Sequence, residues 1–162
     1  MALPPGPMMA LPPTLIPALS SLLERSGTYV FATDLSGRYT YVNRQVQVLL
    51  GAPLEGIVGR CDSDFFGPDL VKRNREHEQR VLRDGIPVSG QERGVVLSDG
   101  QSRAFWTVKA PLRDGDGRVV GFCGISLDIT EHLLLEKQLL NNEYEFRPVS
   151  YTHLTLPTKR IV

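Results

Sequence analysis

The chain is poor in the residue types that usually announce chemistry, with two cysteines and three histidines in 162 residues. Cys61 and Cys123 have no CxxC spacing. That pattern argues against a disulfide scaffold or a structural metal site and suits a reducing compartment, so a cytoplasmic location is expected. Net charge is also lacking: Lys plus Arg and Asp plus Glu each total 18, leaving no bulk electrostatic reason to expect nucleic acid or an anionic membrane as partner. The stretch Met1 to Leu23 carries no charge, yet Pro4, Pro5, Pro7, Pro12, Pro13 and Pro17 interrupt any spanning helix and no basic n-region precedes it. Residues 1–13 are therefore expected to form a Pro-rich disordered leader, and no membrane contact is assigned to the chain. There is no Ser/His/Asp pattern, phosphate loop or metal-ligand cluster, so no catalytic role is expected.

What is present is a 41% hydrophobic fraction, enough for one domain with a sizeable core, patterned into short segments. Thr14 is placed to cap a short amphipathic helix over residues 14–26, with Pro17 in its first turn. That helix is read either as a dimer contact or as a lid on the core. Tyr29 to Thr33, Asp34-Leu-Ser-Gly37 and Arg38 to Val42 read as strand, tight turn and strand. Asn43 ends the second strand, and Arg44 to Leu50 has helical spacing before a capping Gly51. A turn-rich segment with short helical pieces follows, then an amphipathic helix from Pro68 to Arg83 that stops at Asp84-Gly85. Three strands, Val88 to Leu97, Arg103 to Leu112 and Val119 to Leu127, are separated by Ser98-Asp-Gly100 and Arg113-Asp-Gly-Asp-Gly117. The order β-β-α-α-α-β-β-β implies an α+β fold, an antiparallel sheet with helices on one face. From Glu131 to Arg147 a Leu-rich helix is expected, with Asp128 and Glu131 at capping-box spacing. Leu135 and Leu139 belong to one heptad frame on it and Leu133 and Leu140 to another, so it reads as a coiled-coil helix or as a helix packed on its own sheet.

The last strand closes with Asp128-Ile129-Thr130 before that helix, and the chain opens with strand, Asp-x-x-Gly-Arg, strand, Asn, helix, Gly. On these residues the chain resembles the PAS family of sensory domains over about residues 27–130. The segments Gly59-Arg-Cys-Asp-Ser-Asp-Phe-Phe, Val81-Leu-Arg-Asp-Gly and Val108-Lys-Ala-Pro are similar to one common soluble subgroup. The resemblance implies a five-stranded antiparallel sheet, a flanking N-terminal helix and a C-terminal signalling helix over 131–147. Residues 148–162 are non-native in appearance, and Ser150 to Val162 resembles translated adapter sequence, so no function is assigned there.

The resemblance also implies a pocket between the sheet and its covering helices, towards which Phe31, Thr33, Phe65, Phe122 and Gly124 are placed. Ordinary core packing accounts for the same residues. Asp62, Asp64, Glu92 and Lys109 add a polar set. Alternation puts Phe105, Thr107 and Lys109 on one face and Ala104, Trp106, Val108 and Ala110 on the other, so an inward Lys109 requires a partner, with Glu92 on the neighbouring strand the obvious one. Either the two form an internal salt bridge or Lys109 meets an anionic ligand. No cofactor is identified. The Gly-x-Asn-Cys motif of flavin-binding relatives is replaced by Gly59-Arg60-Cys61-Asp62, and where haem-binding relatives place a histidine this chain has Asn74, with His77 one turn later.

The expected function is a PAS sensor module of a larger bacterial signal-transduction protein such as a sensor histidine kinase or cyclase. It would detect a small ligand and relay the change through Asp128, Ile129 and Thr130 to the helix carrying Leu135 and Leu139. A ligand-free dimerisation module is the alternative. The partners expected are a second copy and a downstream output domain.

Overall fold

The computed structural model describes residues 12–97 and 99–145. Its elements run α1 (Leu15–Arg25), β1 (Tyr29–Asp34), β2 (Tyr39–Val42), α2 (Arg44–Leu50), α3 (Leu54–Ile57), a 3₁₀ turn at Asp62–Asp64, α4 (Pro68–Asp84), β3 (Val88–Val96), β4 (Ser102–Arg113), β5 (Val119–Asp128) and α5 (Thr130–Glu145). The strands form one antiparallel sheet in the order β2-β1-β5-β4-β3, so the first strand lies beside the last. Helices α2, α3 and α4 pack on it.

Local chemistry explains the boundaries. Asp34 Oδ1 accepts hydrogen bonds from the Ser36 and Arg38 amides at 2.8 and 3.0 Å, closing the β1–β2 turn. Asp114 makes the same contacts with the amides of Asp116 and Arg118, both at 2.9 Å, between β4 and β5. The same Asp-x-x-Gly-Arg turn thus appears twice, a side-chain acceptor replacing missing ladder partners. Asn43, 1% exposed, caps α2 by accepting from the Val46 amide at 3.2 Å. It also accepts from the Val30 amide at 3.1 Å and donates to the Thr28 carbonyl at 2.9 Å, pinning the start of β1 to the start of α2. Helices α2 and α4 stop at Gly51 and Gly85, both left-handed with φ of 65° and 63°, a conformation glycine adopts without a Cβ penalty.

One expectation at the N-terminal side changes. Thr14 has helical backbone angles and makes no side-chain cap, so α1 starts without one. Helix α1 has no fully buried residue, while Leu15, Leu19 and Leu23 along it are half-buried. It is tied to the domain through Glu24, which accepts from the Tyr41 hydroxyl at 3.3 Å and the Arg44 amide at 3.2 Å.

Alternation along the central strands sorts the two faces of the sheet. Inward go Phe105, Thr107 and Lys109 of β4 and Phe122, Gly124 and Ser126 of β5. Trp106, Val108, Ile125 and Leu127 stand on the opposite face and keep 41–49% of their surface exposed. The core is in two clusters. Tyr39 and Val42 pack with Val46 of α2 and Ile57 of α3, while Leu70 of α4 packs with Val95, Leu97 and Phe105. The compact domain ends at Ile129, whose amide donates to the Ala104 carbonyl at 2.9 Å. Helix α5 forms a separate unit, beginning at Thr130 rather than Glu131, with Asp128 the last residue of β5. Leu134, Leu135, Leu139 and Leu140 are each more than half exposed on it. The expectations for Phe146 to Val162 and for residues 1–11 lie outside the described residues.

Candidate functional site

Between the two core clusters, where the sheet is covered by α2 and α4, lies a cavity of about 60 Å³. Its lining mixes apolar residues, Val46, Leu50 and Phe105 among them, with Asp62, Asn74, Glu92, Lys109 and Ser126. Phe31 and Asp62 also border a second, larger cavity of about 180 Å³, which Thr33, Glu78 and Phe122 help to line. Of the expected pocket residues, then, Phe31, Asp62, Glu92 and Lys109 line the first cavity, and Thr33 and Phe122 the second. Phe65 packs edge-on against Tyr39 at 6.3 Å, and its neighbour Phe66 lines the first cavity instead. Gly124 lies beneath the Phe31 ring: a Cβ there would stand 2.3 Å from Phe31 Cζ. Phe31 in turn meets the rings of Tyr39 and Phe122 edge-on at 6.3 and 6.4 Å.

The polar residues form one cluster. Lys109 is 4% exposed, and its ammonium donates to Glu78 Oε1 of α4 at 3.1 Å, with Glu92 Oε1 of β3 at 3.7 Å. Its closest partner is therefore Glu78, with Glu92 second. Lys109 Nζ also lies 5.7 Å from the centre of the Phe122 ring, within cation–π range. Asp62 accepts from the Tyr39 hydroxyl in a short hydrogen bond and from Asn74 Nδ2 at 3.3 Å. Thr107 and Ser126 share a buried hydroxyl hydrogen bond at 2.8 Å.

The electrostatics follow from burial. Removal from water pushes the Tyr39 phenol well above its usual value, and the adjacent Asp62 charge adds to the shift. Burial also raises the Glu78 carboxyl, an effect that the nearby Lys109 ammonium opposes. Among the described residues, two buried side-chain polar atoms have no hydrogen-bond partner, Asn74 Oδ1 and Thr33 Oγ1. Among the described residues, no group of three or more His, Cys, Asp and Glu side chains is placed to hold a metal ion.

Sequence reasoning passed over Glu78 and read Asn74 only as a departure from a haem ligand position. A signal was available: Leu70, Asn74 and Glu78 recur at every fourth residue of α4, and Val81 continues the stripe, so the polar members share the face of a buried apolar residue. His77 is half-buried and His132 exposed. At the end of the sheet, Asp128 stands 3.6 Å from Arg103.

The comparisons bear on this geometry. A family model described as the PAS fold matches residues 23–133. A diguanylate cyclase of Vibrio cholerae is 33% identical over 119 residues, 73% of this chain and 37% of that protein. The methanogenesis regulatory histidine kinase FilI of Methanothrix harundinacea is 33% identical over 111 residues, 68% of this chain and 12% of the kinase. The chain thus spans little more than a third of the first relative and about an eighth of the second. A PAS domain of a protein from Colwellia psychrerythraea superposes with a TM-score of 0.62 at 19% identity, covering 72% of this chain and 98% of that one. The five-stranded sheet, its helical cover on one face and the match over residues 23–133 agree, and the chain belongs to the PAS fold family.

Proposed function

We propose that this chain is a sensor module of a larger signalling protein, in which occupancy of the cavity under α2 and α4 is relayed along β5 to the segment that follows it. The observation that carries this reading is the position of β5. Its residues Phe122 and Ser126 line the two cavities, Gly124 supports Phe31 between them, and two residues after Ser126 the strand ends at Asp128. A ligand that shifts Phe31 presses on Gly124, and a strand that moves there carries Asp128, Ile129 and Thr130 with it. The relatives include a diguanylate cyclase and a regulatory histidine kinase, which supports an output domain of that kind in the parent protein. A cytoplasmic setting belongs to the same reading. Among the described residues no helix is long and apolar enough to cross a membrane.

The cavity bears on ligand size. At about 60 Å³ it is below the roughly 300–1,000 Å³ of pockets that enclose drug-sized ligands, so a haem or flavin would require the two cavities to merge and expand. The anionic-ligand role considered for Lys109 is disfavoured by the two carboxylates already beside its ammonium.

A second reading, a dimerisation and relay module, is supported by the exposed leucines of α5, Leu135 and Leu139 among them. Native mass spectrometry of the chain purified from cells separates the two. A reproducible extra mass is expected for the sensor, whereas a dimer with no added mass refutes ligand sensing in favour of the relay module. In a fusion to an output domain, Asp128→Ala and Thr130→Ala are expected to lower ligand-dependent output without unfolding the domain. Unchanged coupling would remove the relay role of these residues.

A further inference from the structure

Among the described residues, Phe31 and Asp62 are common to the linings of both cavities, and every other lining residue belongs to one or the other. They therefore form the wall between a space of about 60 Å³ and one of about 180 Å³. The two halves of that wall are held differently. Asp62 is fixed by hydrogen bonds from the Tyr39 hydroxyl and Asn74 Nδ2. The Phe31 ring, which has no group to hydrogen-bond, meets Tyr39 of the first cavity and Phe122 of the second edge-on at 6.3 and 6.4 Å. Its tip leans over Gly124, its direct partner in the β1–β5 ladder, where a Cβ would stand 2.3, 2.7 and 2.9 Å from Cζ, Cε2 and Cε1. An aromatic ring in a close-packed core has atoms on every side. This one has open volume on two.

We propose that Phe31 is the size-determining residue of the sensor: its ring divides one compartment into two and so holds the wild type to ligands that fit a single cavity. This rests on the ligand-sensor reading above and sets its size limit. A cavity of about 150 Å³ holds benzene, so the second cavity accommodates one six-membered ring, and the first about two or three heavy atoms. A fused two-ring molecule exceeds both. Without the ring, the two spaces and the volume it filled become continuous, with Tyr39, Leu50 and Phe105 at one end and Leu35, Leu82 and Phe122 at the other. Such a compartment takes a planar aromatic molecule, which inherits the edge contacts that the Phe31 ring now makes.

The test is methyl NMR of the full chain titrated with benzene and with 2-naphthol. In Phe31→Ala, one bound 2-naphthol is expected to give intermolecular NOEs to the methyls of both Leu50, which lines only the first cavity, and Leu82, which lines only the second. Its affinity should exceed that of the wild type about tenfold, because more of its atoms are enclosed. Benzene already fits the wild-type second cavity and should gain less. Phe105→Ala removes the same ring beside the first cavity alone and should give no NOE to Leu82. Phe31→Leu is a milder truncation that keeps the test open where Phe31→Ala does not fold; it should show both sets of NOEs with a smaller gain. Wild-type binding of 2-naphthol with NOEs to both leucines, NOEs confined to one leucine in the Phe31 variants, or an equal gain in Phe105→Ala overturns the inference. Native mass spectrometry of the wild type from cells keeps the two proposals apart. A bound molecule of two or more fused rings upholds sensing and overturns the size limit, and a smaller one upholds both. No added mass refutes sensing, while the NOEs still decide whether Phe31 divides the compartment.

Discussion

Replacing Lys109 by methionine keeps most of the side-chain length and removes its charge from beside Glu78 and Glu92, 3.1 and 3.7 Å away. The Lys109 side chain is 5% exposed, and the two glutamates retain 17% and 15% of their side-chain surface in water. Removing one partner of a buried pair typically costs about 3–5 kcal/mol, because the other charge is left uncompensated. The residual hydration of both glutamates places this case at the lower end, about 3 kcal/mol at pH 7.5. For a domain of this size that is a fall in Tm of about 10–20 °C. The cost should shrink at pH 5. Burial raises the Glu78 carboxyl, so acidification favours its neutral form, relieving the variant and weakening the ion pair in the wild type together. A smaller wild-type-to-variant difference is expected at pH 5 than at pH 7.5. Urea melts of both full-length chains at the two pH values, with unchanged m-values, measure this. A loss below about 1 kcal/mol at pH 7.5, or an equal loss at both pH values, would refute the buried-cluster argument.

Three further outcomes are expected. Gly124→Ala drives a methyl into the Phe31 ring and should cost about 1–3 kcal/mol in urea melts; Phe31→Leu in the same chain should recover part of it, and additive losses would contradict the contact. Glu78→Gln reports on linkage: because the folded carboxyl sits above its ordinary value of 4.5, wild-type stability relative to the variant should fall as pH rises from about 4.5 through the raised value. A relative gain over that range in melts at stepped pH would reverse the assigned sign. Asn43→Ala removes the α2 cap and the hydrogen bonds to Val30 and Thr28 and should cost about 2–4 kcal/mol by urea melt. Asn43→Asp keeps the acceptor and should cost less; equal losses would show that the cap is not the main contribution.

The cavity was legible in part. Lys109 was recognisable as inward because β4 alternates, and an inward ammonium requires an acid. Which acid was not recognisable: Glu78 is 31 residues away in sequence and meets Lys109 only because α4 lies across the inner face of the sheet. Asn74 is a similar case, since the pairing with Asp62 depends on how α4 and the 3₁₀ turn dock. Phe65 and Phe66 are adjacent and both apolar, so composition does not tell which lines the cavity. The backbone after the 3₁₀ turn turns Phe66 towards it and leaves Phe65 against Tyr39.

By itself, the sequence determined whatever rests on interactions a few residues apart: the two Asp-x-x-Gly-Arg turns, the glycine ends of α2 and α4, the alternation of β4 and β5, and through these the α+β class. The tertiary structure alone decided what depends on elements meeting. It set β1 beside β5, brought Phe31 over Gly124, and gathered Asp62, Glu78, Glu92 and Lys109 from the 3₁₀ turn, α4, β3 and β4 into one cluster. Hydrogen-bonded turns and caps need only their own segment. A buried charge cluster needs the low-dielectric space that forms only when the helices close over the sheet.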